Sequence, residues 1–530
     1  MSSIPHIPDD LQQGVSVIVQ TKYGPLRGGR TRNDAAVFLE VPYALPPVRF
    51  QDPQPLPEGY RYEDKHYVFE TKHCYQPNNN GQGSNFPPED LKGYGLPSED
   101  PLFLNIAVPS SSTSTSKLPV KVYLHGGFLQ FGSPHDLNSQ AQYVSQERSE
   151  IWVNIGYRLS VLGFLACDEP RDQWLGLLWV RDNIAAFGGD PDNVQLTGLS
   201  AGGHSVHQIL HHISRLPAGQ KSPIRSARLE SNAIILPPYT HRDQRIAPKT
   251  AAELRPQFEA LCHALRLDPK SPDVLDILRD PRRVPPEALM HVIETDAVGV
   301  YNGTFRGCLD GSWMATDPDP MTWQRNGDLG RKLREKGVKS VVAGDTLEEW
   351  YLYSIAHPIN SPADIVPNLL RYYPRSIVDA LIEMYPTLPD NASPGESQRL
   401  FGDILADGQV NIPDRLLARD LRLVDFPVLR YEIHWAPEQL RIEGYVTHAT
   451  DRCLWMVRIP SLSLSQKEKA LEWLDAVDKE VEILEREDHS SRPLDQALML
   501  KEDQSIVWSL DARWNRFLAI AGVLPDERNI

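Results

Sequence analysis

Short apolar runs recur along the first half of the chain and alternate with stretches whose apolar positions repeat at helical spacing. LFLNIAV at 102–108, VKVYLHGG at 120–127 and IWVNIGYR at 151–158 each have the length and continuity of a buried strand. LLWVRDNIAAFGG at 177–189 is helical in spacing, QLTGLS returns to strand, and AGGHSVHQIL opens a helix on small residues. Further on, KSVVAGDT at 339–346 and PVLRYEIHW at 427–435 predict two more strands. Strands that alternate with helices specify a largely parallel sheet covered by helices on both faces, an α/β fold. Before this core, VSVIVQT and PLRGGR form a hairpin pattern. FLEVPYALPPVRFQDPQPLP carries so many prolines that it predicts an extended surface segment.

Residues 245–335 mix helical pieces such as AAELRPQFEALCHALRL with proline-rich loops, the pattern of an insertion over the sheet edge rather than a second domain. The chain thus reads as one domain over 1–530 without internal repeats. KEKALEWLDAVDKEVEILERE predicts a helix with a charged, solvated face. ARWNRFLAIAGV predicts a last helix, and EREDHSSRPLDQ around 485–496 a mobile loop.

Composition narrows the class. With 41% hydrophobic and 23% charged residues, the chain resembles ordinary folded proteins. A net charge of −16 argues against nucleic acid or an anionic membrane as partner, since both need clustered Lys and Arg. No stretch is long and apolar enough to span a bilayer, and MSSIPHIPDDLQQGVSVIVQ lacks the pattern of a secretory signal. Five widely spaced cysteines, Cys74, Cys167, Cys262, Cys308 and Cys453, make neither a disulfide framework nor a zinc site. These features predict a cytoplasmic protein whose sequons at Asn302 and Asn391 stay unmodified.

The chemistry centres on Gly198-Leu199-Ser200-Ala201-Gly202, a Gly-x-Ser-x-Gly pentapeptide between a strand and a helix start. A serine hydroxyl is a weak nucleophile unless a tight turn exposes it beside a base, and flanking glycines make room for that turn. Ser200 is the predicted nucleophile, and the following N–H, of Ala201, can face an oxyanion.

Several segments together resemble the type-B carboxylesterase and cholinesterase family of α/β-hydrolases. FLEVPYALPPVRF is similar to the family's F-x-G-I-P-Y-A-x-P-P segment, and SEDPLFLNIAVP to its S-E-D-C-L-Y-L-N-I block. YLHGGF, GYRLSVLGFL and WVRDNIAAFGGDPDNVQLTGLSAGG follow in the family's order. The resemblance implies the α/β-hydrolase fold and a Ser-His-Glu triad that needs no metal or organic cofactor. His125-Gly126-Gly127-Phe128 is similar to the oxyanion loop of lipases and esterases, which implies Gly126, Gly127 and Ala201 as oxyanion donors. VVAGDTLEEWYLY is similar to the family's strand followed by G-x-x-x-x-E-G; it aligns Glu349 with the acid, sets Trp350 where the family has glycine, and keeps Glu348 and Asp345 as rivals. His448, in GYVTHATD after a strand, matches the catalytic histidine, with His434 as rival and Ala449 in place of the usual glycine. Ser231 matches a serine that supports the acid in relatives.

Departures from the family bear on the substrate. Leu199 stands where cholinesterase-like members carry an acidic residue, so the resemblance implies neutral rather than choline esters. Pro101 replaces a cysteine that normally pairs with the one at Cys74. Leu199, Phe128 and Phe131 are the candidate lining of an apolar pocket. The expected partner is a small-molecule ester or lactone. Acyl transfer through the same triad and a non-catalytic binding role are the alternatives.

Overall fold

The computed structural model describes residues 5–78, 95–165, 169–231, 249–298, 308–309, 311–315, 317–524 and 527. Its centre is a twelve-stranded sheet. In chain order the strands are β1 (Leu11–Thr21), β2 (Gly24–Thr31), β3 (Ala36–Pro42), β4 (Phe103–Val108), β5 (Leu118–Leu124), β6 (Ile151–Ile155), β7 (Gly189–Leu199), β8 (Ser226–Glu230), β9 (Ser340–Thr346), β10 (Val428–Ile433), β11 (Gln496–Leu500) and β12 (Ile506–Leu510). They lie in the order β1-β2-β3-β4-β6-β5-β7-β8-β9-β10-β11-β12. The run from β6 to β11 is parallel, while both flanks are antiparallel.

Helices cover both faces because successive strand side chains point to opposite sides. Val120, Val122 and Leu124 of β5 pack into one core with Val206, Ile209, Leu210 and Ile213 of helix α2 (Ala201–Ser214); helix α1 (Glu169–Asn183) adds Leu177 and Val180. Tyr123, between them in β5, packs into the opposite core with Val342 and Leu429. The strands predicted from the apolar runs all lie in this sheet, and the α/β-hydrolase arrangement is the expected fold class.

Three expectations are refined. Of the proline-rich FLEVPYALPPVRFQDPQPLP stretch, the first five residues, FLEVP, are no surface strap: they belong to β3, inserted between β2 and β4, with Val37, Phe38 and Val41 fully buried, while 43–57 form no strand. The prolines do not interrupt the ladder because Pro42 ends the strand, and a bulge near Glu40, φ 52°, breaks the register between Phe38 and Val41. The charged helix, Leu464–Glu487, buries a stripe of Ala470, Trp473, Leu474 and Val477 against the sheet, so only its other face is solvated. The segment 485–496 is pinned: Ser490 Oγ donates to Val428 O at 2.9 Å and accepts the Val428 N–H at 3.1 Å.

Within the expected insertion, a helix at Ala251–Ala264 forms where AAELRPQFEALCHA was predicted to be helical, while Asn302 lies outside the described residues. Cys74 is buried and free; burial pushes its thiol up to about 12, and its Sγ accepts the Leu159 N–H at 3.3 Å. Among the described residues no helix is long and apolar enough to cross a membrane.

Candidate active site

Parallel strands deliver their carboxyl ends to one rim, and functional side chains collect there. β7 ends at Leu199 and α2 begins at Ala201, so Ser200 occupies the turn alone, at φ 58° and ψ −122°. Such a backbone is strained for a residue with a Cβ and persists only where surroundings enforce it. Here the Ser200 N–H donates to Glu230 O at 2.8 Å, and Ser200 O accepts the His204 N–H at 2.9 Å. The glycines make the turn possible: a Cβ on Gly198 would stand 2.3 Å from Gly202 O, and one on Gly202 2.1 Å from Leu124 O.

The HGGF loop follows β5, the neighbour of β7. Gly126 lies against the Ser200 turn, since a Cβ there would come within 3.1 Å of Ser200 Cβ. Gly127 adopts φ 110°, and its carbonyl accepts the N–H groups of Gln130 and Phe131 at 2.8 and 2.9 Å, which curls the loop. Among the described residues the N–H groups of Gly126, Gly127 and Ala201 have no backbone acceptor. His125 fixes the loop from behind. Its ring stacks on Tyr157 at 4.3 Å, Tyr157 Oη donates to His125 O at 2.7 Å, and burial pushes the imidazole down to about 4, so it stays neutral. Tyr157 was part of the GYRLSVLGFL match, but nothing in the sequence marked it as a support for the loop.

Glu349 follows β9 and opens helix α3 (Trp350–Ser354). Its carboxylate is buried and fully engaged. Oε1 accepts from Ser231 Oγ at 2.6 Å and from the Thr346 N–H and Oγ1 at 3.0 Å each, while Oε2 lies 2.6 Å from His448 Nδ1. Burial by itself would raise this carboxyl. The nearby His448 and the hydrogen bonds from His448, Ser231 and Thr346 outweigh burial and hold it below the usual range. An ionised carboxylate only accepts, so Nδ1 carries the proton and Nε2 is the free basic nitrogen. His448 Nε2 is buried with no hydrogen-bond partner among the described residues. Ser231 follows β8, which pairs with both β7 and β9, and so links the strand that precedes Ser200 to the one that precedes Glu349.

The rivals are occupied elsewhere. Glu348 Oε2 accepts the Val446 N–H at 2.8 Å. Asp345 pairs with the fully buried Arg415 at 2.6 Å, and His434 Nε2 with Glu432 at 3.0 Å. Two further histidines also have partners: His357 bonds Tyr372 Oη at 2.7 Å and His207 bonds Gln324 at 2.8 Å.

Of the candidate lining residues, Phe128 is half-buried and meets Tyr353 edge-on at 6.3 Å; Tyr353 in turn meets the His448 ring at 5.9 Å. No sequence signal singled out Tyr353, the ring between the HGGF loop and the His448 imidazole. Phe131 is buried, and Leu199 packs in the core cluster that holds Val446 and Ala449 beside His448. Among the described residues no group of three or more His, Cys, Asp and Glu is placed to hold a metal ion.

A family model described as "Carboxylesterase family" matches residues 15–472. The chain is 30% identical over 455 residues to an uncharacterised esterase/lipase of Schizosaccharomyces pombe, covering 80% of this chain and 79% of that one. It is 29% identical over 459 residues to a carboxylic ester hydrolase of Gibberella moniliformis, covering 79% and 78%. Among solved structures, a PNB esterase superposes with a TM-score of 0.71 at 22% identity, over 95% of this chain and 99% of that one.

Proposed function

Since the chain belongs to the carboxylesterase family and is a carboxylesterase, we propose that Ser200, His448 and Glu349 are its catalytic triad and that it hydrolyses a neutral, apolar small-molecule ester or lactone. The observation that carries this reading is the 2.6 Å contact of His448 Nδ1 with Glu349, which leaves Nε2 as an unbonded base.

His448 Nε2 takes the Ser200 hydroxyl proton as Oγ attacks the carbonyl carbon. The carbonyl π electrons move to oxygen, and the N–H groups of Gly126, Gly127 and Ala201 stabilise that oxyanion. As the tetrahedral intermediate collapses, the C–O bond to the alcohol breaks and the imidazolium returns the proton to the departing alkoxide. An acyl-Ser200 ester remains. Water, deprotonated by His448, attacks it in the same way and releases the acid with Ser200 restored. Glu349 stays ionised throughout and stabilises the imidazolium.

Leu199 brings no carboxylate to the site that would attract a quaternary ammonium group, and the Phe128–Tyr353 pair offers apolar surface beside the imidazole. Both features support neutral esters. A fluorophosphonate probe tests the nucleophile: the adduct is expected on the peptide containing Ser200 and to be absent in Ser200→Ala. Ester hydrolysis that persists in Ser200→Ala overturns the assignment.

A further inference from the structure

His448 sits in a long irregular connection. β10 ends at Ile433, and between it and His448 the only regular element among the described residues is a single helical turn, Glu438–Leu440. The chain then reverses in a tight turn, where Tyr445 N–H donates to Ile442 O at 2.9 Å and Glu443 and Gly444 take φ of 50° and 85°. Ordering such a backbone costs about 1–2 kcal/mol per residue, so its position has to be enforced by specific contacts.

Those contacts come largely from the residue next to the acid. Glu348 N–H donates to Val446 O at 3.0 Å, and Glu348 Oε2 accepts the Val446 N–H at 2.8 Å. One residue thus satisfies both backbone groups of Val446, two positions before His448. The ring of Tyr445 closes the same junction, edge-on to Trp350 at 4.9 Å and 5.0 Å from Tyr351, and the Arg399 guanidinium covers Trp350 at 3.9 Å. The acid segment is itself anchored, since Leu347 N–H donates to Ile433 O at 2.9 Å and Arg513 donates to Leu347 O at 3.2 Å.

We propose that Glu348 is a positioning residue that clasps the histidine loop to the acid loop and so sets the distance between His448 and Glu349. The proposal rests on the triad reading above. The Glu348 carboxylate is engaged by the Val446 N–H, so it acts through Val446 on His448. Displacement of a catalytic group by about 1 Å costs about 100-fold in rate, which makes two backbone bonds at this place consequential.

The test compares Glu348→Ala, Glu348→Gln and Glu348→Asp on a short-chain aryl ester, with melting curves to verify folding. Glutamine keeps an oxygen that can accept from Val446, whereas alanine and the shorter aspartate do not reach it. Glu348→Ala and Glu348→Asp are expected to lower kcat about 10- to 100-fold with KM within about twofold. Glu348→Gln is expected to stay within about threefold of the parent. The downfield proton signal of the His448–Glu349 hydrogen bond is expected to be present in the parent and Glu348→Gln, and broadened in the other two. Should Glu348→Ala not fold, Glu348→Asp carries the same expectation. Wild-type turnover in folded Glu348→Ala or Glu348→Asp overturns the proposal, as does Glu348→Gln being as slow as either. Failure of the triad reading shows separately, as turnover retained in Ser200→Ala.

Discussion

Ser231 Oγ donates to Glu349 Oε1 at 2.6 Å, on the oxygen opposite the one that His448 engages. The serine at the end of β8 therefore orients the carboxylate while leaving the imidazole contact free. Hydrogen bonds to charged groups contribute about 1.5–3 kcal/mol, but Thr346 supplies two further donors to the same oxygen. Ser231→Ala is therefore expected to lower kcat about tenfold, with little change in KM, in steady-state hydrolysis of an aryl ester. A loss as large as that of Glu349→Ala would mean that Ser231 does more than orient the acid.

The two glycine-to-alanine changes at the nucleophile turn should fail differently. At Gly126 a new Cβ would stand 2.9 Å from Leu199 O and 3.1 Å from Ser200 Cβ, so a shift of a few tenths of an ångström relieves it. That shift moves a proposed oxyanion donor, so kcat is expected to fall about 100-fold while the melting temperature falls less than in Gly202→Ala. At Gly202 the Cβ would stand 2.1 Å from the Leu124 carbonyl oxygen and 2.9 Å from that of His125, a much deeper overlap with backbone. Gly202→Ala is expected to lose folded protein itself, seen as low soluble yield or a large drop in melting temperature.

How much of this was legible in the sequence depends on how local each signal is. GLSAG and the apolar runs are local patterns, and Ser200 stands at the strand-to-helix turn they predicted. The start of the proline-rich stretch departs from its expected course as an extended surface segment because proline counts describe a segment and not the position of each proline: Pro42 falls at the end of β3, and the other prolines follow it. Glu348 and Glu349 are neighbours on an irregular turn, where no periodicity says which one faces His448. The structure separates them, one to Val446 and one to His448. β8 and the last two strands, β11 and β12, were not predicted from their own short sequences. Their pairing depends on neighbours far along the chain.

The substrate reading can be tested with a matched pair of esters of one acid, choline against its neutral isostere 3,3-dimethylbutanol. Shape and leaving group are held close, so kcat/KM isolates the charge. The overall charge of −16 favours the encounter with a cation, which sets the global field against the expected result. With Leu199 in place of a carboxylate, kcat/KM is expected to favour the neutral ester by about tenfold or more, equivalent to about 1.4 kcal/mol. Equal rates, or a preference for choline, would end the neutral-ester reading.

Three residues after His448, Asp451 is buried, with Oδ2 accepting from Trp455 Nε1 at 2.8 Å and Oδ1 without a partner among the described residues. Burial, then the Glu230 carboxylate, push its carboxyl up to about 7 with a smaller contribution from Glu349, and the Trp455 hydrogen bond and Arg452 oppose them. Below the ordinary aspartate value of 3.8 the group is neutral in both folded and unfolded chains and has no effect. Between that value and about 7 the unfolded chain ionises it while the folded protein keeps it neutral, so this residue lowers stability progressively as pH rises. Asp451→Asn preserves the acceptor for Trp455 and removes the titration. Its melting temperature is expected to match the parent near pH 4 and to exceed it by about 1–3 °C at pH 7.5, the scale expected when unfolding entropy is about 2.1 cal/mol/K per residue. An offset between the two melting curves that stays constant from pH 4 to 7.5 would show that Asp451 is not held neutral by its surroundings.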